Sequence, residues 1–182
     1  MDLFPSLDAL GHCLKNMANR GKLHRVGFSE TGGRPGYVYS TRVIKADWVE
    51  HELGLGRFLS LYPEAEILTG FDVDEKLRPD AEMKLKKKLF VEYFTGKERL
   101  DYVFRKTFAK YREYEGPVLF VAPDKRYMNG LVRRAERIAQ CAHFGTILEA
   151  KKAPYGKIWT DFWGNLSPLE KPSVIETPNV CK

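Results

Sequence analysis

The sequence predicts an α/β fold of the α+β type, in which a mixed sheet is flanked by helices. Hydrophobic residues make up 43% of the 182 residues, so the chain has enough apolar side chains to fill a core. Short β-prone segments follow one another in the middle of the chain and then alternate with helical segments, which is the pattern of a mixed sheet. No stretch approaches the roughly 18 apolar residues of a membrane-spanning helix, and the three cysteines lack paired spacing, so we expect a cytoplasmic protein.

Residues 1–45 carry the pattern of a helix followed by a hairpin. Apolar residues recur at helical spacing between about Ser6 and Arg20, at Leu7, Leu10, Leu14 and Met17. Two β-prone runs, LHRVGFS and YVYS, then flank the turn-rich segment ETGGRPG. This order is typical of the end of a winged helix-turn-helix, in which the helix enters the major groove, although other helix–hairpin units share it. We therefore predict a partial winged helix that binds DNA through Lys15, Arg20 and, at the hairpin tip, Arg34.

Residues 46–150 predict the α/β domain. A helix is expected from Ala46 to about Tyr62, followed by strands in AEILTGFDV, LRPDAEMKL and KKLFVEYF. The segment ERLDYVFRKTFAKYREY has an apolar stripe at i, i+3, i+4 spacing, which predicts a helix before the buried strand VLFVA. A helix from about Tyr127 to Gln140 and a last strand, GTILEA, complete the domain.

Residues 151–182 form a tail that contains four prolines and several aromatic side chains but has no clear period. We expect this tail to be irregular and to wrap the domain or to dock on a partner. The tail and the N-terminal region are therefore the predicted contact surfaces for a second copy of the chain or for another protein.

Basic residues are unevenly distributed along the chain. Lys and Arg total 30 against 24 acidic residues, which gives a formal net charge of +6. One cluster consists of Lys84, Lys86, Lys87 and Lys88, and another consists of Arg133, Arg134 and Arg137. Clustering favours double-stranded DNA as the partner over a basic surface that is merely solvated. We predict that Lys86, Lys87 and Lys88 contact DNA.

Two carboxylates are the candidates for catalysis. Asp80, which follows Pro79, and Glu92 lie on consecutive predicted strands, where they can bind a divalent cation together through oxygen ligands. Glu52 on the preceding helix is a candidate third ligand. The alternative is that Asp80 is a turn residue and that both glutamates are solvated. If the site is functional, the expected cofactor is Mg²⁺, and otherwise none is expected.

The predicted site lacks a lysine at the expected strand position. A metal-dependent nuclease normally has a lysine two residues after the glutamate, on the same face, where it stabilises developing charge. Phe94 occupies that position. A lysine from another element, Lys76, Lys97 or Lys106, would have to replace it, and Lys106 on the next helix is our candidate.

The segments "RGKLHRV…GGRPGYVYS", "LRPDAEM", "LFVEYF", "KYREY", "GPVLFVAPDKRYMNGLVRRAERIA" and "FGTILEA" occur in an order that resembles the replication-relaxation family of plasmid and phage proteins. The resemblance covers about residues 7–150. It implies a winged helix-turn-helix joined to a domain like that of the PD-(D/E)xK nucleases, and a role in plasmid replication or DNA relaxation. Asp80 and Glu92 match the family's acidic positions, whereas Phe94 and the short N-terminal region depart from its pattern.

Three functions are compatible with these features. The first is a DNA-binding protein that acts in replication or relaxation, or in its regulation, without cleaving DNA, because the catalytic set is incomplete. The second is a Mg²⁺- or Mn²⁺-dependent DNA endonuclease or nickase that takes its lysine from elsewhere. The third is an adaptor or inhibitor that uses a nuclease-like scaffold and the aromatic tail to bind another protein.

Overall fold

The computed structural model describes residues 7–28, 36–41, 43–45, 48–70, 73 and 77–172. The chain divides into two compact units, Met1–Leu53 and Gly54–Lys182. The division falls inside a helix, whereas the sequence suggested a boundary at residue 45. We describe each unit by itself.

The first unit contains the predicted helix and hairpin. Helix α1 spans Leu7–Asn19. Gly21, with φ of +69°, adopts the left-handed conformation that commonly ends a helix. Strands β1 (His24–Phe28) and β2 (Gly36–Ser40) then pair antiparallel. The hairpin tip, with Arg34, lies outside the described residues.

The second unit is built on a mixed sheet of seven strands in the order β3-β4-β5-β6-β7-β8-β9. Strands β3, β4 and β5 form an antiparallel meander, and β5, β6 and β7 are parallel. Strands β8 and β9 add antiparallel at the far edge. The strand bounds are Glu66–Thr69, Ala81–Lys84, Lys88–Tyr93, Val118–Ala122, Ala142–Thr146, Trp159–Asp161 and Leu166–Ser167. The predicted mixed sheet is confirmed.

Helices connect the strands of this sheet. Helix α2 (Val49–Leu59) precedes β3. Between β5 and β6 the chain forms α3 (Leu100–Tyr102), a π-helical turn (Val103–Thr107) and α4 (Phe108–Lys110). Helix α5 (Lys125–Val132) and a 3₁₀ turn (Glu136–Ile138) connect β6 to β7, which splits the longer helix that we expected there.

The central strand β5 divides its side chains between two hydrophobic cores. Phe90 and Phe94 belong to the core that contains residues of α4 and α5. Leu89 and Val91 belong to the core on the other face of the sheet. Because side chains alternate along a strand, Glu92 lies on the same face as Phe90 and Phe94.

The prediction of a last strand in GTILEA is wrong from Ile147 onward. Strand β7 ends at Thr146, and helix α6 spans Ile147–Lys152. The Thr146 hydroxyl accepts a hydrogen bond from the Glu149 N–H at 3.2 Å, and it donates one to the Glu149 carboxylate at 2.8 Å. These two hydrogen bonds give the Glu149 N–H in the first turn of α6 a partner and stabilise the start of the helix. The apolar run alone suggested a strand here.

The tail was expected to be irregular, but its described part contains two strands. Residues of β8 pair with β7, and β9 pairs with β8, so the tail extends the sheet. Trp159 of β8 is fully buried, which explains why this segment stays on the domain. None of the helices found in the described ranges has the length and apolar character that crossing a membrane requires.

Candidate carboxylate–lysine site

The structure brings Asp80 and Glu92 together at one end of the sheet. Ala81 pairs with Val91 at the start of β4, and the Asp80 N–H donates a hydrogen bond of 3.1 Å to the Val91 carbonyl. The Asp80 carboxylate accepts a hydrogen bond of 2.8 Å from the Tyr93 N–H. Asp80 therefore lies across from the end of β5, next to Glu92. We refer to these two residues as the carboxylate pair.

Glu92 is a buried acid in an unusual setting. The residue is 4% exposed, and its Oε1 accepts a hydrogen bond of 2.5 Å from the Tyr111 hydroxyl. Burial, followed by the charge of Asp80, raises the pKa of Glu92 to about 8. Lys110 and the Tyr111 hydroxyl act in the opposite direction but do not compensate. The charge of Asp80 raises this pKa because the two carboxylates are close to each other.

A lysine does reach the carboxylate pair, and it comes from helix α4. The Nζ of Lys110 lies 3.4 Å from Glu92 Oε1, and it donates a hydrogen bond of 3.1 Å to the Arg78 carbonyl. The Lys110 side chain is 29% exposed, so part of it is accessible to solvent. The site therefore combines two carboxylates and a cation contributed by three different segments.

The lysine is not one that the sequence pointed to. Lys106 is exposed in the π-helical turn, four residues before Lys110, and Lys97 is exposed in the loop after β5. Lys76 lies outside the described residues. The apolar stripe of this helical segment predicts which of its residues are buried. Lys106 and Lys110 both lie outside the stripe, so the pattern does not indicate which of these two lysines reaches the sheet.

Phe94 is part of the core. It is 4% exposed, and its ring stacks on that of Phe120 with the centroids 6.3 Å apart. It also contacts the ring of Tyr127. The aromatic side chain at this position packs into the core, and the lysine beside Glu92 comes from the helix instead.

Glu52 belongs to the first unit. It lies on α2, where it lines a small pocket with Trp48 and Lys45. Across the described ranges, no group of three or more His, Cys, Asp or Glu side chains is arranged to hold a metal ion. Mg²⁺, however, is commonly held by one or two carboxylates together with substrate phosphates. The carboxylate pair fits that kind of site.

The lysine cluster between β4 and β5 is largely compensated by acids. Three of its four lysines form ion pairs in which the Nζ atom lies 2.8–3.0 Å from a carboxylate oxygen. These pairs are Lys84–Glu66, Lys86–Glu170 and Lys88–Glu82. Lys87 is exposed. Ion pairs of this kind reduce the attraction that the cluster would exert on a polyanion. Lys15 and Arg20 are exposed on and just after helix α1.

No protein-family model, curated protein sequence or solved structure matches this chain. The resemblance to the replication-relaxation family therefore rests on the sequence motifs alone. The geometry of the carboxylate pair and Lys110 stands independently of it.

Proposed function

We propose that this chain is a plasmid or phage protein that binds double-stranded DNA and cleaves one or both strands at the carboxylate pair. The observation that carries the proposal is the position of Lys110, whose Nζ lies 3.4 Å from Glu92. A nuclease-like interpretation of the sequence lacked a cation at the acidic pair, and Lys110 supplies one. The resemblance to replication-relaxation proteins supports a role in plasmid replication or relaxation, on a PD-(D/E)xK-like domain.

The residues of the site divide the chemistry between them. Asp80 and Glu92 would hold Mg²⁺, which when bound activates water for attack on a phosphodiester. Lys110 would place a positive charge near a phosphate bound at the carboxylate pair, and a contact of this type contributes about a hundred- to a thousandfold in rate. Tyr111 holds the Glu92 carboxylate through its hydroxyl and thereby fixes its orientation.

A second candidate function is DNA binding without cleavage. It is favoured by the same hydrogen bond, because Tyr111 occupies Glu92 Oε1 at 2.5 Å. The pKa of about 8 also leaves Glu92 mostly protonated at neutral pH, and a protonated acid is a weak ligand for a cation. Binding of a dication would have to displace that proton.

A cleavage assay on supercoiled plasmid separates the two candidates. We expect nicked or linear product that requires Mg²⁺ or Mn²⁺ and that Asp80→Asn abolishes, while DNA binding by the variant persists. Glu113→Gln, which changes an exposed acid, serves as the control and should cleave normally. DNA binding without any cleavage at any concentration of either metal would establish the second candidate instead.

A further inference from the structure

The β1–β2 hairpin of the first unit has one face that is open to solvent. Arg25 and Gly27 of β1 lie opposite Tyr39 and Tyr37 of β2, respectively, so these four positions share one face. Tyr37 is 57% exposed, and Arg25 and Gly27 are exposed as well. The partly buried Val26 alternates with these positions and lies on the other face. We refer to Arg25, Gly27, Tyr37 and Tyr39 as the tyrosine face.

The cation of the tyrosine face is stacked on one of its aromatic rings. The Cζ atom of Arg25 lies over the Tyr37 ring, 4.4 Å from the ring centroid, which is a cation–π contact. Tyr37 remains 57% exposed in spite of this contact. A guanidinium plane and an exposed tyrosine ring are both groups on which a nucleobase can stack.

Gly27 leaves room beside the Tyr37 ring, which is directly opposite in the ladder. Apart from the chain neighbours of Gly27, no atom of the described residues lies within 4 Å of a Cβ placed on this glycine. Any other residue at this position would fill that space with its side chain. The absence of a side chain therefore opens the tyrosine face next to its exposed ring.

The surroundings of the tyrosine face are basic. Neither β1 nor β2 contains an acidic residue, whereas Arg25 lies on β1 and the exposed Lys22 lies just before it. Positive charge attracts the phosphate backbone of a nucleic acid. In a duplex the base faces are covered by their stacked neighbours, whereas unpaired bases can stack on aromatic side chains and on arginine. The tyrosine face therefore fits an unpaired strand better than a duplex.

We propose that the tyrosine face binds single-stranded DNA by stacking an unpaired base on Tyr37 and Arg25, in the open space at Gly27. Every base has a flat face, so this contact carries little sequence preference. The proposal extends the DNA binding of the proposed function from duplex DNA to an unpaired strand. It rests on that DNA binding and does not require cleavage at the carboxylate pair.

Fluorescence anisotropy on the full chain tests the proposal, with a labelled single strand and with the same strand in a duplex. We expect Tyr37→Ala to weaken binding of the single strand about tenfold, because stacking on the ring is lost, and to leave duplex binding nearly unchanged. Tyr37→Phe keeps the ring and should bind like the wild type. The matched control is Tyr102→Ala, which removes a tyrosine of the second unit that is 60% exposed and should have no effect.

Two further variants separate stacking from charge. Arg25→Lys keeps the charge but loses the guanidinium plane, so it should weaken binding of the single strand. Gly27 does not have a positive φ, so Gly27→Val is compatible with the strand and should block the open space while the hairpin stays folded. Circular dichroism monitors folding of each variant.

The possible results are distinguishable. Single-strand affinity that is unchanged in Tyr37→Ala would overturn the proposal, as would a clear preference for an RNA strand of the same sequence. Duplex binding by the wild type without single-strand binding would overturn this proposal and leave the proposed function standing. Failure of the wild type to bind either form of DNA would overturn both.

Discussion

Glu92 shows how one buried residue connects stability with the proposed chemistry. The residue is 4% exposed, yet its carboxyl group has a carboxylate neighbour in Asp80 and a cation in Lys110. Removing a charge from water is costly unless partners replace the lost hydration. The Tyr111 hydroxyl and Lys110 provide that replacement only in part, so the neutral form of Glu92 is favoured. The folded protein therefore holds a proton that the unfolded chain releases.

This proton makes stability depend on pH. The pKa of Glu92 rises from 4.5 to about 8 on folding, so the native state binds more protons between these values and stability falls as pH rises through them. Each pKa unit corresponds to about 1.4 kcal/mol. Glu92→Gln, which stays neutral, should therefore be more stable than the wild type at pH 8–9 and lose this part of the pH dependence. Urea denaturation at several pH values measures it.

The matched control for this prediction is Glu113→Gln, which changes an exposed glutamate. It should leave the pH profile unchanged. Parallel profiles for the wild type and Glu92→Gln would contradict the assignment of the bound proton to Glu92.

Much of the carboxylate pair could be predicted from the sequence, because strand order places consecutive strands side by side. The spacing of Asp80 and Glu92 was therefore informative. The cation was missed because Lys106 and Lys110 both lie outside the apolar stripe, and the π-helical turn at Val103–Thr107 is not visible in the periodicity. Tyr111 lies in the stripe, so the periodicity predicts its burial but not the hydrogen bond that its hydroxyl donates to Glu92.

At the scale of the elements, long segments with a clear period were predicted better than short ones. The helix and hairpin of the first unit and strands β3 to β6 follow the sequence pattern. Strands β8 and β9 have three and two residues, too few for alternation to be detected. Helix α6 did carry a readable signal, since Thr146 and Glu149 have the spacing of a capping box.

The capping exchange at Thr146 should be measurable. Thr146→Val keeps the shape of the side chain but removes the hydroxyl that bonds Glu149. Helix N-caps of this type contribute about 1 kcal/mol, so we expect a loss of that size in urea denaturation. Thr146→Ser, which keeps the hydroxyl, should lose less. Equal stability of Thr146→Val and the wild type would show that α6 does not depend on its cap.

At the scale of the whole molecule, net charge is a poor guide to which surface meets DNA. The excess of basic residues is +6 over the chain, but the most conspicuous lysine cluster is paired with acids. Sequence clustering does not reveal these pairs, because Glu66 and Glu170 come from distant positions. Lys15 and Arg20 in the first unit are the better candidates for phosphate contacts.

Salt dependence of DNA binding tests this ranking. Each phosphate contact contributes about 0.9 to the slope of log affinity against log salt concentration. The double variant Lys15→Ala, Arg20→Ala should flatten the slope more than the double variant Lys86→Ala, Lys88→Ala, which loses two cations that already pair with acids. Fluorescence anisotropy with a labelled duplex measures both. A larger flattening of the slope by Lys86→Ala, Lys88→Ala would show that the lysine cluster contacts DNA.

The most direct test of the central claim compares two lysines one helical turn apart. Lys110→Met removes the ammonium group next to Glu92, whereas Lys106→Met removes an exposed one on the same helical segment. We predict that single-turnover nicking of supercoiled plasmid with Mg²⁺ falls about a hundred- to a thousandfold for Lys110→Met, with DNA affinity nearly unchanged, and stays at the wild-type rate for Lys106→Met. Equal rates for wild type and Lys110→Met would contradict the proposed role of this lysine in cleavage.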